Sequence, residues 1–278
     1  MSTQNALLTI LVEKINNDTL VLPTLPAIAL EVRKAADDPD INLNQMGSVI
    51  EKDPSLSARM IKIANSAYMG RSVKVNSVSQ AVTRIGLRQI KSIATALAME
   101  QLFVSKNEVV RQYMEREWTN TVAVVGNAMS ALQLFTQRTR NRELSMDTMT
   151  LAALIHNIGV LPILTEAERH EEVFANPTFL EVAIEKLAGQ IGASIMREWG
   201  FGTQFADIAE NWRDLAVIPD KLSYIDFVRV GAAQAGQLEK QKDAVMNLAV
   251  QRGVIEEVST LSSDEFKALS DSAKQIFS

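Results

Sequence analysis

His156 and His170 are the only imidazoles in a chain of 278 residues that has no cysteine. Disulfides, zinc–thiolate centres, iron–sulfur clusters and thiol nucleophiles are therefore excluded, as is any metal site needing three imidazoles from one chain. His156 stands beside Asn157 at the end of the apolar run LAALIHNIG, just before Gly159. A lone histidine on an apolar helix is more often a hydrogen-bonded core residue than a ligand. His170 lies in the charged stretch TEAERHEEVF with Glu166, Glu168, Glu171 and Glu172, which reads as a solvated face. A metal site built from His156, His170 and one of these glutamates requires a fold that brings them together.

Other chemistries leave weaker marks. Arg71, Lys74, Arg84, Arg88 and Lys91 gather around a junction of a short and a long helix near Gly86, which superficially suggests a helix-turn-helix. Against it stand the net charge of −5, the lack of stacking aromatics and the helical spacing of Arg84, Arg88 and Lys91, so nucleic acid is disfavoured as a partner. Trp118, Trp199 and Trp212 each fall in an apolar helical pattern and read as buried anchors. No Gly-x-Ser-x-Gly elbow and no phosphate-binding glycine loop is present.

The elements that must position these residues are helices. Hydrophobic residues make up 47% of the chain, enough for a substantial core, while 12 glycines, 7 prolines and 5% aromatics fit a helical profile. Apolar spacing predicts a first helix over Thr3 to Ile15, one opened by Pro26 and stopped at Asp37-Asp38-Pro39, and one capped by Asn42 through Ile50. Asp53 followed by Pro54 is a strong start, because the carboxylate accepts free backbone N–H groups and proline loses nothing at the first helical position. Helices over Ser77–Ile85 and Leu87–Phe103 follow. A second set comprises Val110–Arg138, Met146–Ile158, Glu181–Trp199, Thr203–Trp212 and Lys221–Gln237, and a final helix opens with Ser262 and Glu265 in capping-box spacing. Trp118 to Gln137 and Thr148 to Thr165 are long and uncharged, but their polar and helix-breaking residues suit buried helices better than membrane spans.

Local patterns then point to a family. The segment VLPTLPAIALEVRKAADDPDINLNQMGSVIEKDPSLSARMIKIANSAYMG has a Leu-Pro-x-x-Pro entry, an acidic link, Asp-Pro-x-Leu and Asn-Ser-Ala-Tyr. SVSQAVTRIGLRQIKSIATALAMEQLF follows with Ala-Val-x-x-Ile-Gly, then come Trp118, LIHNIG and GASIMREWGF, to about Trp212. This order resembles the HDOD family, output domains related to HD-superfamily metal-dependent phosphohydrolases. In those hydrolases a His-Asp pair at a helix end holds a divalent cation that activates water and screens phosphate. By that resemblance the metal-site positions fall on Asn120, His156, Asn157, Ala188, Asn211, Trp212 and Ala232, and only His156 keeps a ligand type. Amide, methyl and indole groups offer a hard cation little electrostatic attraction.

The resemblance implies an all-α fold of two packed helical subdomains, the C-terminal one an HD-like bundle. The expected divisions are a lead-in helix over 1–20, an HDOD domain over 21–215 split into 21–106 and 107–215, and C-terminal helices over 216–278 that complete the bundle. It implies a stand-alone, cytoplasmic, bacterial signalling module and pseudoenzyme that binds signalling proteins or a nucleotide-like ligand, without a membrane and without a cofactor. The enzyme alternative is a phosphohydrolase for a nucleotide or cyclic dinucleotide, with a divalent metal on His156 and substitute ligands. The further alternative is a DNA-binding regulator using the basic patch.

Overall fold

The computed structural model describes residues 4–66, 69, 73–170 and 177–277, with nothing said of side chains 4–7 and 177. Among the described residues there are fourteen α-helices and no strand: α1 (Gln4–Asn16), α2 (Ala27–Ala36), α3 (Leu43–Ile50), α4 (Pro54–Ala64), α5 (Val78–Ile85), α6 (Leu87–Met99), α7 (Glu108–Thr139), α8 (Met146–Ile155), α9 (Val160–Ala167), α10 (Pro177–Glu198), α11 (Thr203–Asn211), α12 (Tyr224–Gln234), α13 (Lys242–Gln251) and α14 (Asp264–Lys274). The all-helical expectation holds.

Cap chemistry fixes many of the starts. Asn42 accepts from the backbone N–H groups of Asn44 and Gln45 while Gln45 accepts from the Asn42 N–H, closing a capping box at α3. Asp53 accepts from Leu56 N–H at α4, with Pro54 in the first turn. The last helix departs from expectation. Ser262 closes a 3₁₀ turn, and Ser263 caps α14 by accepting from Phe266 N–H. Two helices, α9 and α13, are additions to the sequence reading. Pro162 makes the α9 stretch look broken, yet it lies in the first turn, where its missing N–H costs nothing.

By contacts the chain groups into two compact units, each assembled from separated segments. The first comprises Met1–Thr24, Leu102–Thr121 and Ile155–Ile218; the second comprises Leu25–Gln101, Val122–Leu154 and Pro219–Ser278. These groupings cross the sequential boundaries at 106/107 and 215/216, because α7 is a single 32-residue helix, about 48 Å long, whose residues up to Thr121 count with one unit and the rest with the other. In the second unit α2 to α6 pack on one another through stripes such as Val78, Ala81, Val82 and Ile85 of α5, buried at helical spacing. In the first unit α10 packs against α1, α9 and α11.

Within the first unit, two features fix the frame around the His-Asn pair. The indole N–H of Trp199 donates to the Pro23 carbonyl at 2.9 Å, tying the end of α10 to the Leu-Pro-x-x-Pro entry. Gly159 abuts α10 so closely that a Cβ there would sit 1.9 Å from the Ala188 carbonyl oxygen, so only glycine fits this crossing.

Candidate functional site

His156 and Asn157 end up on a turn rather than inside a helix. α8 stops at Ile155, and the bonds Ile158 N–H to Ile155 O and Val160 N–H to Asn157 O carry the chain through residues 156–159 into α9. The expected helix over Met146–Ile158 thus ends early, at Ile155, and the pair lies on the turn that joins α8 to α9. Both side chains are buried, His156 at 1% exposure and Asn157 at 5%.

Asn157 is held from both sides. Its Nδ2 donates to Glu117 Oε2 at 3.0 Å, and its Oδ1 accepts from Arg213 Nη2 at 2.9 Å. Arg213 in turn stacks on the Trp212 ring, 4.0 Å from its centroid, and Trp212 meets His156 edge to face with ring centroids 4.7 Å apart. The sequence neighbours 156–157 and 212–213 therefore close a ring of contacts, with Glu117 attached through the amide. Burial holds the Glu117 carboxyl above the usual glutamate range, opposed by the Arg116 and Arg213 charges. Burial also lowers Arg213 to about 10, with Glu117 and Glu185 acting the other way. An amide fits this position because it presents a donor to the carboxylate and an acceptor to the guanidinium.

The remaining positions expected by resemblance behave differently. Ala188 is buried at the Gly159 crossing. Asn211 is half-buried and donates to the Asp207 carbonyl one turn back in α11. Trp212 is 1% exposed. Asn120 is half-buried on α7, beyond Trp118, whose ring lies 5.3 Å from that of Phe103. Ala232 is fully buried in α12 and groups with the second unit.

His170 does not extend the site. Its Nε2 lies 3.7 Å from Glu166 Oε1, and that buried carboxylate is already met by Lys14 at 2.6 Å and Arg169 at 3.2 Å. Glu168 is likewise engaged, accepting from the Ser105 hydroxyl and the Asn107 N–H ahead of α7. Glu171 and Glu172 lie outside the described residues. Among the described residues no three His, Asp or Glu side chains converge as a metal cage. The donor set around His156 does not fit a divalent cation, because the carboxylate bonded to the turn, Glu117, accepts from an amide that is itself bonded to a guanidinium.

The basic patch is partly spent on the chain itself. Arg84 donates to the carbonyls of Ala64 and Val73, and Lys91 pairs with Asp37. Asn65 of the Asn-Ser-Ala-Tyr motif completes the clasp, exchanging hydrogen bonds with the Val75 N–H and carbonyl at 2.8 Å each. Lys74 and Arg88 are exposed, and Arg71 lies outside the described residues.

Glu117 and Arg213 escaped the sequence reading. Each flanks a tryptophan, in Glu117-Trp118 and Trp212-Arg213, with opposite charges. That is a faint mark, because each resembles an ordinary surface charge until the two segments are placed together.

Comparisons place this architecture. A solved structure from Shewanella amazonensis SB2B, whose name assigns it provisionally to the metal-dependent phosphohydrolases, is 40% identical, covers all of both chains and superposes with a TM-score of 0.94. A signal transduction protein from Marinobacter aquaeolei VT8, also so named provisionally, shares the fold at 20% identity and TM-score 0.57, over 99% of this chain and 65% of its own. A Treponema pallidum (strain Nichols) protein is 24% identical over 189 residues, 64% of this chain, which spans only 35% of that relative's length. The HDOD domain pattern matches residues 22–214, from the proline-rich entry to just past Trp212-Arg213. The chain belongs to the HDOD domain family.

Proposed function

We propose that this chain is a non-catalytic regulatory module, working in the cytoplasm by binding a signalling protein or a small nucleotide-like ligand. One observation carries the reading: both polar atoms of Asn157, at the position of the metal-binding carboxylate in HD hydrolases, are used within the chain, by Glu117 and by Arg213. A neutral amide oxygen that already accepts from a guanidinium is a far poorer donor to a hard cation than a free, charged carboxylate. The T-shaped packing of Trp212 on His156 supports the same reading, since an indole fills space that water and a cation need.

The test is the metal content of protein purified without chelator, together with hydrolysis of nucleotides and cyclic dinucleotides. Sub-stoichiometric metal and no turnover are expected. Near-stoichiometric manganese, iron, nickel or zinc that disappears in His156→Ala would overturn the proposal. The second reading, a metal-dependent phosphohydrolase, is favoured by the name of the 40% identical Shewanella protein, and the same measurement decides it.

A further inference from the structure

We infer that Arg213 is the resident cation of the His156 pocket: its guanidinium, relayed through the Asn157 amide, takes over against Glu117 the charge role that a bound divalent ion would have, and keeps such an ion out. Glu117 is a carboxylate with 13% of its side chain exposed, buried beside the HD turn. A buried carboxylate needs a positive partner. Arg116 supplies one only from its exposed side, 3.6 Å away and over the Tyr113 ring. Arg213 supplies the other from within, through the bonds of 2.9 and 3.0 Å that polarise the amide from guanidinium to carboxylate.

The guanidinium is fixed in place as a built part of the site. Its plane rests on Trp212, 4.0 Å from the ring centroid, and Trp212 is wedged by His156. A second unit of positive charge at His156 would face Arg213 across this short ring of contacts. The pocket thus carries its own cation without an added ion. This inference rests on the non-catalytic reading only for the statement that the wild-type pocket carries no metal.

The experiment compares the wild type with Arg213→Gln, Arg213→Lys and N157D/R213Q, reading the melting temperature of the full chain with and without Mn²⁺ and its metal content. The wild type should melt unchanged by Mn²⁺. Arg213→Gln should melt several degrees lower, and Arg213→Lys should recover part of the loss. In the double variant a carboxylate at 157 stands beside His156 on the turn and opposite Glu117 of α7, without the guanidinium, so Mn²⁺ should raise its melting temperature, and adding His156→Ala should abolish that rise. An Arg213→Gln protein as stable as wild type, or a folded double variant indifferent to Mn²⁺, would sink the inference while leaving the non-catalytic reading intact. Mn²⁺ bound stoichiometrically by the wild type would sink both. Should the double variant not fold, the ranking of wild type, Arg213→Lys and Arg213→Gln still decides.

Discussion

Asn157 donates its amide N–H to Glu117 across 3.0 Å, so the residue at the HD position acts as a donor, which an ionised aspartate cannot be. Asn157→Asp puts two carboxylates at that distance. The substitution should cost about 2 kcal/mol at neutral pH, from a lost bond to a charged acceptor and like-charge repulsion. One proton shared by the pair relieves the repulsion, so the loss should shrink towards pH 5. Urea unfolding of both proteins at pH 5 and pH 8 measures it.

Glu117 itself gives the wild type a pH signature. Its folded-state pKa is raised, chiefly by burial, so the native state holds this proton more tightly than the unfolded chain does. Stability from this group is therefore fully present below the ordinary glutamate range and is lost as pH rises through the raised value. Glu117→Gln keeps an oxygen for Asn157 and removes the titration. Its unfolding free energy should vary less with pH just above the ordinary glutamate range; parallel curves would contradict the assignment.

The α9–α10 crossing predicts a contrast between two glycines. Gly159→Ala drives a Cβ to 1.9 Å from the Ala188 carbonyl and should destabilise by about 3 kcal/mol, since backbone rather than a flexible side chain must move. Gly202 caps α11 with open space around it, in extended backbone and without a side-chain cap. Gly202→Ser should stabilise by a few tenths of a kcal/mol, roughly the difference between glycine and serine at this position. Chemical denaturation resolves the two.

The basic residues divide in the same way. Arg84→Gln removes donors to the Ala64 and Val73 carbonyls and should cost about 1 kcal/mol, whereas the exposed Arg88→Gln should stay within about 0.5 kcal/mol of wild type. Neither should alter duplex DNA binding in a salt titration. Equal stability losses would mean that the clasp around Asn65 does not depend on Arg84.

Periodicity and caps made most helices legible, because Asn42, Asp53 and the apolar stripes act locally. The turn at 156–159 was not legible: the apolar spacing of LAALIHNIG continues to Ile158, and the close approach of α10 to Gly159 comes from far along the chain. The same distance hid half of the site. His156 and Asn157 announced themselves by type, but Glu117 and Arg213 became hydrogen-bonded neighbours of Asn157 only when α7, the turn and the end of α11 met. The discontinuous units were hidden for a related reason, since nothing in the pattern of α7 marks Thr121 as a boundary.

The salt bridge from Lys14 to Glu166 sets how much chain is needed to make a working piece of this protein. The family signature begins at residue 22, yet the buried Glu166 carboxylate takes its 2.6 Å partner from α1, which also inserts the fully buried Leu11. In the other unit, Ser270 donates to Asn127 Oδ1 at 2.8 Å, and Phe277 is 1% exposed, far beyond the signature's end at 214. A fragment trimmed to the signature would inherit a buried carboxylate that has lost its 2.6 Å partner, with Arg169 left to it, on one side and an uncovered core on the other. Family boundaries drawn by sequence likeness thus mark heritage here, while the piece that can be transplanted, fused or expressed alone is longer at both ends.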